Sequence, residues 1–142
     1  MIIKKMGKVH VEQCKLIEKS SFGGERNDDF LSGLANKNYL QYVAVESGIV
    51  VGYVVLLCVV DEIEIISIAV LPQYRGRGYS KELLNFVFDK AKKIGAVAIF
   101  LEVNEKNKIA RGLYEKVGFV TISTRQKYYN NSEDAIIMKR EI

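Results

Sequence analysis

The stretch Ile65-Ile66-Ser67-Ile68-Ala69-Val70-Leu71-Pro72-Gln73-Tyr74-Arg75-Gly76-Arg77-Gly78-Tyr79-Ser80-Lys81-Glu82-Leu83-Leu84 decides the fold. Its first half reads as a buried strand, closed by Pro72, which cannot continue a ladder. Its second half changes period. Leu83, Leu84, Val87, Phe88, Ala91 and Ile94 recur at helical spacing until Gly95. Between the two lies Arg75-Gly76-Arg77-Gly78-Tyr79-Ser80. Glycines admit backbone angles closed to other residues and let a ligand approach the main chain. The first turn of a helix offers unpaired N–H groups and the positive end of its dipole. Arg75, Arg77 and Lys81 add charge, so the turn suits a pyrophosphate. The alternative is a glycine-rich turn with solvated arginines. A P-loop would need a Gly-Lys-Ser/Thr ending, and the glycine spacing is not that of a dinucleotide fingerprint.

Upstream, Ile2 to Met6 reads as a strand, and Val9, Val11, Cys14 and Ile17 as a helical stripe. Asn27 reads as a helix cap with Asp28 and Asp29 in the first turn, followed by Phe30, Leu31, Leu34 and Ala35. Tyr39 to Val45 and Ile49 to Val60 form a hairpin about Glu46-Ser47-Gly48, and Ile63 to Leu71 follows the turn Asp61-Glu62. Downstream, Ala96 to Val103 is apolar until Glu102, which suits a central strand covered on both faces. Asn107 caps a helix with the stripe Ile109, Ala110, Leu113, Tyr114 and Val117. Phe119 to Arg125 and Ala135 to Lys139 are the last strands. The unit from Ile63 to Val103 implies a parallel crossover, and the hairpins imply antiparallel neighbours. The expected fold is α/β: a mixed seven-stranded sheet flanked by about four helices, in one domain over residues 1–142.

Composition agrees. The chain has 142 residues, 49% hydrophobic and 27% charged, which excludes disorder and allows one core. Two cysteines, Cys14 and Cys58, are too few for a disulfide framework, have no metal-ligand spacing and read as small core residues. His10, the only histidine, reads as a surface or capping residue. The longest apolar run, Ile49 to Val60, falls short of a membrane span, and Met1 to Met6 lacks a signal-peptide core. A reduced, cytoplasmic protein is therefore expected, with no metal and no membrane partner. The net charge of +4 permits nucleic-acid binding, but no aromatic–basic motif supports it. Nothing in the sequence signals an oligomeric state.

The strand–turn–helix from Ile65 to Leu84 resembles the acetyl-CoA-binding motif of the GNAT N-acetyltransferase superfamily, Gln/Arg-x-x-Gly-x-Gly/Ala, with Arg75, Gly78 and Ser80 at its defined positions. Ser80 departs from the pattern but is small and keeps its N–H. Asn107-x-x-Ala110-x-x-Leu113-Tyr114-x-x-x-Gly118-Phe119 resembles the helix-and-strand signature that follows in that family. Within it, Leu101-Glu102-Val103, Asn107 and Tyr114 look like the ribosomal-protein-alanine N-acetyltransferases. The tail Lys127-Tyr128-Tyr129-Asn130-Asn131-Ser132-Glu133-Asp134-Ala135 resembles the ending of enzymes that acetylate protein N-termini. The resemblance implies acetyl-CoA as donor and a protein N-terminus as acceptor, such as the alanine of ribosomal protein bS18. It also implies direct transfer in a ternary complex, and pantetheine binding along Ile68, Ala69 and Val70. Rival readings are a lysine or small-amine acetyltransferase and a non-catalytic acyl-CoA-binding module.

Acetyl transfer needs a neutral amine, and an α-amine with pKa about 7.7–8.0 is only partly deprotonated at neutral pH. Glu102 is the candidate base, where burial at a strand end would raise its pKa; a partner for Lys106 is the plainer alternative. A strand N–H from Ile68 to Val70 could meet the carbonyl oxygen. The resemblance makes Tyr114 the proton donor to the departing thiolate, although Tyr114 also sits in an apolar stripe where a core tyrosine is ordinary. The cofactor-binding set is Ile68, Ala69, Val70, Arg75, Gly76, Arg77, Gly78, Tyr79, Ser80, Lys81 and Asn107, the last also a cap. Glu64, Tyr128 and Tyr129 are candidates for the acceptor side; Glu64 also reads as an edge acid, and alternation turns at least one of the two tyrosines to packing.

Overall fold

The computed structural model describes residues 1–23, 28–129 and 133–142, with 127–129 described by their backbone. Its strands are β1 (Ile2–Lys5), β2 (Tyr39–Glu46), β3 (Ile49–Val59), β4 (Glu62–Val70), β5 (Ala98–Asn104), β6 (Val120–Tyr129) and β7 (Glu133–Glu141). Its helices are α1 (Val11–Phe22), α2 (Phe30–Leu34), α3 (Tyr79–Ile94) and α4 (Lys108–Lys116). One seven-stranded sheet runs β1-β2-β3-β4-β5-β7-β6. All its pairs are antiparallel except β4 with β5. The expected mixed sheet and parallel crossover are therefore present.

The sheet has a core on each face. On one, α3 buries Leu83, Leu84, Val87, Phe88 and Ala91 against Leu56, Ile63, Ile65 and Ile99. On the other, α1 and α2 cover β2, β3 and β4 with Cys14, Ile17 and Phe30 around Tyr53. The ring of Phe30 meets that of Tyr53 edge-on with centroids 5.2 Å apart.

β4 changes phase midway. Val55 opposes Ser67 while Leu56 opposes Ile65, so the register skips Ile66. This is a β-bulge, which bends a strand and re-aims its side chains. Before it, Ile63 and Ile65 face α3; after it, Ile68 and Val70 do. Ser67 turns to the opposite core, where its hydroxyl lies 2.7 Å from that of Tyr53. Both groups are buried, and the bond satisfies both.

Several local expectations change. Asp29, not a residue of the first turn, is the N-cap of α2: its carboxylate accepts from the Ser32 N–H at 3.0 Å. The expected cap, Asn27, lies outside the described residues. Val9 sits in a 3-10 turn before α1 and is 84% exposed, outside the helical stripe. Ile94, in the last turn of α3, is half-exposed. β6 and β7 run longer than expected, β6 continuing to Tyr129 at the edge of the sheet and β7 beginning at Glu133. His10 accepts a hydrogen bond from the Gly7 N–H at 2.9 Å, the capping alternative.

Candidate active site

The ladder between β4 and β5 pairs Glu62–Ile65 with Ala98–Leu101 and goes no further. Past Ile65 and Leu101 the two strands part. β4 continues along β3, and β5 continues along β7. The bulge at Ile66 lies where they separate. A cleft of about 340 Å³ opens in the gap, walled by Ile66–Val70, Leu101–Asn104 and the start of α4, with Arg75 and Ser80 at one end. Parting strands expose an edge of β4 backbone to this cleft. Such an edge offers N–H and C=O groups to an extended ligand, as β-addition does.

The turn after β4 closes that end. Gly76 and Gly78 have φ of +78° and +82°, which a side chain disfavours, and no atom lies within 4 Å of where a Cβ would stand. Gly78 is the N-cap of α3 and brings no side chain to cap it. The amides of Tyr79, Ser80 and Lys81 are thus left for an external acceptor. The three basic residues of the turn do different things. Arg75 donates to the Val70 carbonyl at 3.1 Å and to the Ser21 hydroxyl at 2.9 Å, tying the turn to β4 and α1. Arg77 lies over the Tyr74 ring, 4.9 Å from its centroid. Lys81 is exposed on the first turn of α3. Tyr79 stacks on Tyr74.

Glu102 stands at the parting of the strands. It lines the cleft and also a second groove of about 280 Å³, on the face that α1 and α2 leave open. Glu62, Glu64, Phe100 and Arg125 line that groove with it. The expectation that β5 is covered on both faces therefore fails at Phe100 and Glu102, because the two N-terminal helices pack over β2–β4 only. The Glu102 side chain is 25% exposed, and its carboxylate oxygen is 3.3 Å from Nη1 of Arg125. It is partly buried near the end of β5, as expected, and its ion-pair partner is Arg125 rather than Lys106. A cation from β6 reaches it.

Tyr114 lines the cleft from α4 and is partly buried, its ring edge-on to Phe119 at 5.8 Å. Ala110, Leu113, Tyr114 and Val117 of the expected α4 stripe pack against the α3-side core while staying partly exposed. The helix has no fully buried residue, and Ile109 is 90% exposed beside the cleft. Asn107 caps α4 through a bond from the Ala110 N–H at 3.2 Å and also borders the cleft. Glu64 joins the second groove rather than the cleft. Tyr128 and Tyr129 have their backbone in β6, and their side chains lie outside the described residues. Sequence reasoning missed Arg125 and Glu62, which line the second groove. Only the sheet order brings Arg125 near Glu102, and no local motif carries that. It also missed Glu18, whose buried carboxylate accepts from the Asp28 N–H at 3.1 Å and anchors the approach to α2.

No group of His, Cys, Asp and Glu among the described residues is arranged to hold a metal. Among the described residues, no helix is long and apolar enough to cross a membrane.

A parted parallel pair, a bulged strand edge, an uncapped helix start with open glycines, and an acid at the fork define a protein class. They are the parts of an acyl-CoA N-acyltransferase. Residues 11–119 match the acetyltransferase (GNAT) family, and the chain belongs to it. The [Ribosomal protein bS18]-alanine N-acetyltransferase of Haemophilus influenzae is 33% identical over 132 residues, covering 90% of this chain and 86% of that protein. The crystal structure of the ribosomal-protein-S18-alanine N-acetyltransferase from Escherichia coli superposes with a TM-score of 0.91 at 28% identity, covering 99% of this chain and 93% of that one. An aminoglycoside 6'-N-acetyltransferase complexed with coenzyme A superposes at 0.85 over 99% of this chain and 97% of that one, but at 15% identity that likeness is one of fold alone. The chain is an N-acetyltransferase, and acetyl-CoA is the acetyl donor of its family. The open turn and the edge of β4 beyond the end of the β4–β5 ladder fit that donor.

Proposed function

We propose that this enzyme acetylates the N-terminal α-amine of a protein, with the N-terminal alanine of ribosomal protein bS18 as the favoured acceptor. One observation carries the chemistry: Glu102 lines both the donor cleft and the acidic groove on the opposite face. The acceptor identity is supported by the relatives above. Such an acceptor would place the reaction in the cytoplasm.

In this reading the amides of Tyr79, Ser80 and Lys81, with Gly76 and Gly78 beneath, hold the diphosphate of acetyl-CoA. Arg75 braces the turn, and Arg77 adds charge to its outer side. The exposed edge of Ile68, Ala69 and Val70 holds the pantetheine arm, and Asn107 contacts it from α4. Acetyl-CoA, when bound, supplies a thioester carbonyl open to attack. Glu102 takes the proton of the incoming amine, directly or through a water. An N–H of the β4 edge meets the charge that grows on the carbonyl oxygen. Tyr114 gives its phenolic proton to the departing sulfur. Glu64, Tyr128 and Tyr129 border the acceptor. No acyl-enzyme is required, because the amine and the thioester approach Glu102 from opposite faces.

Mass spectrometry of peptides incubated with enzyme and acetyl-CoA tests this. A peptide beginning with the bS18 alanine should gain one acetyl group at its α-amine. Glu102→Gln should lower that rate by about 100-fold or more, the range of general-base catalysis, while acetyl-CoA affinity persists. Acetylation of polyamines or lysine side chains in preference to the free N-terminus would reject the acceptor. An undiminished rate for Glu102→Gln would remove Glu102 from the mechanism.

A further inference from the structure

We propose that Arg140 is a positioning residue for Tyr114: from β7 it clamps the C-terminal end of α4 and the ring stack behind Tyr114, and so fixes where the phenol stands in the cleft. This rests on the reading of Tyr114 as proton donor to the departing sulfur.

No residue of α4 is fully buried, so a core does not by itself hold this helix in place. The Asn107 cap fixes its N-terminal end. Arg140 fixes its C-terminal end, where Nε donates to the Val117 carbonyl at 2.8 Å. A cation there satisfies an orphan carbonyl and meets the negative end of the helix dipole. Gly118 makes room for it, because a Cβ at that position would stand 3.0 Å from the Arg140 Nε. The guanidinium also lies over the Phe88 ring of α3, 4.1 Å from its centroid. Phe88 contacts Phe119 with centroids 6.0 Å apart, and Phe119 in turn meets Tyr114 edge-on. Both phenylalanines are buried. The backbone closes the link, since the Phe119 N–H donates to the Tyr114 carbonyl at 3.0 Å. One cation from β7 thus ties the last turn of α4 and the ring support of Tyr114 to α3. Arg140 is not among the described residues that line the cleft, so its influence on transfer runs through α4.

Single-turnover acetyl transfer to the alanine peptide, measured with and without the phenol, tests the inference. Arg140→Met should lower the transfer rate by about 10- to 100-fold, the cost of a reacting group misplaced by about 1 Å. Its Kd for acetyl-CoA should stay within about twofold of the wild type, because the glycine turn and the β4 edge are untouched. In a Tyr114→Phe background the same change should cost less than about twofold, since the group it positions is gone. Arg140→Lys keeps a donor for the Val117 carbonyl but not the planar stack on Phe88. It should recover part of the loss, and it serves in the same comparison if Arg140→Met does not fold. A fall by the same factor in both backgrounds would give Arg140 a general structural role and overturn the inference. An undiminished rate for both Arg140 variants with Tyr114 in place would also overturn it, and would leave the proton-donor reading standing. A Tyr114→Phe enzyme as fast as the wild type would overturn both.

Discussion

Cys14 shows how the environment of one side chain sets its chemistry. It is fully buried under α1, and burial, with the Glu18 charge nearby, pushes its thiol up to about 12 from an ordinary 9.0. The folded state thus holds the proton more tightly than the unfolded one. The stability this gives is complete below pH 9 and drains away as the pH climbs from 9 toward 12. Urea melts at pH 8 and pH 10.5 should show the wild type losing stability between them, and Cys14→Ala losing clearly less. Equal losses would mean that other groups govern the alkaline limb. The same reasoning separates this thiol from the reactive kind, which needs exposure and a lowered pKa. Arg75 shows the converse. Its charge invites a phosphate role, yet its side chain is spent on Val70 and Ser21. It positions the turn as well as charging it.

At the scale of elements, the separation of β4 from β5 is what makes a site out of a sheet. The bulge at Ile66 turns the second half of β4, and the close approach of β3 supports it from behind. Gly52 on β3 is the contact point. A Cβ there would stand 2.9 Å from the Ala69 carbonyl, 3.3 Å from the Val70 side chain and 3.4 Å from Leu83. The nearest obstacle is backbone and cannot rotate away. Gly52→Ala should therefore destabilise the protein by about 1–3 kcal/mol, the usual cost of overpacking, and lower Tm by several degrees. Because the strand displaced is the one that borders the cleft, acetyl-CoA should also bind less tightly. Calorimetry and a binding titration on the same variant check both effects. An unaltered Tm with normal binding would show that β4 yields at no cost.

At the scale of the molecule, α3 and α4 face each other across a gap in the sheet, joined below it by the short ladder from Glu62 to Ile65. A donor bridging the gap ties β4 and α3 to β5 and α4, and it binds only the folded chain. At a concentration a hundredfold above Kd, acetyl-CoA should add about 2.7 kcal/mol, raising Tm by roughly 5–10 °C for a chain of this size. Differential scanning calorimetry with increasing ligand measures it. A Tm indifferent to acetyl-CoA would reject the cleft as the donor site. The two cores on opposite faces have a further consequence. The N-terminal helices stop at β4 and leave the second groove open beside Glu102, the side proposed above for the acceptor.

By itself the sequence determined the element order, the glycine turn and the candidates for the reacting groups. These are local properties. Helical and strand periods, a proline, capping residues and two motifs are written within a few residues of one another, so Arg75 to Ser80, Glu102, Asn107 and Tyr114 could be named in advance. Tertiary structure decided the rest. The placing of β7 between β5 and β6 brings Arg125 to Glu102, residues with no local relation in the chain. The end of the β4–β5 ladder at Ile65 and Leu101 opens the cleft. The exposure of Ile109 and the bare face at Phe100 and Glu102 depend on which helices cover which strands. Hydrophobic periodicity says that a face is apolar; only the packing of distant segments says whether that face meets a core or borders a ligand.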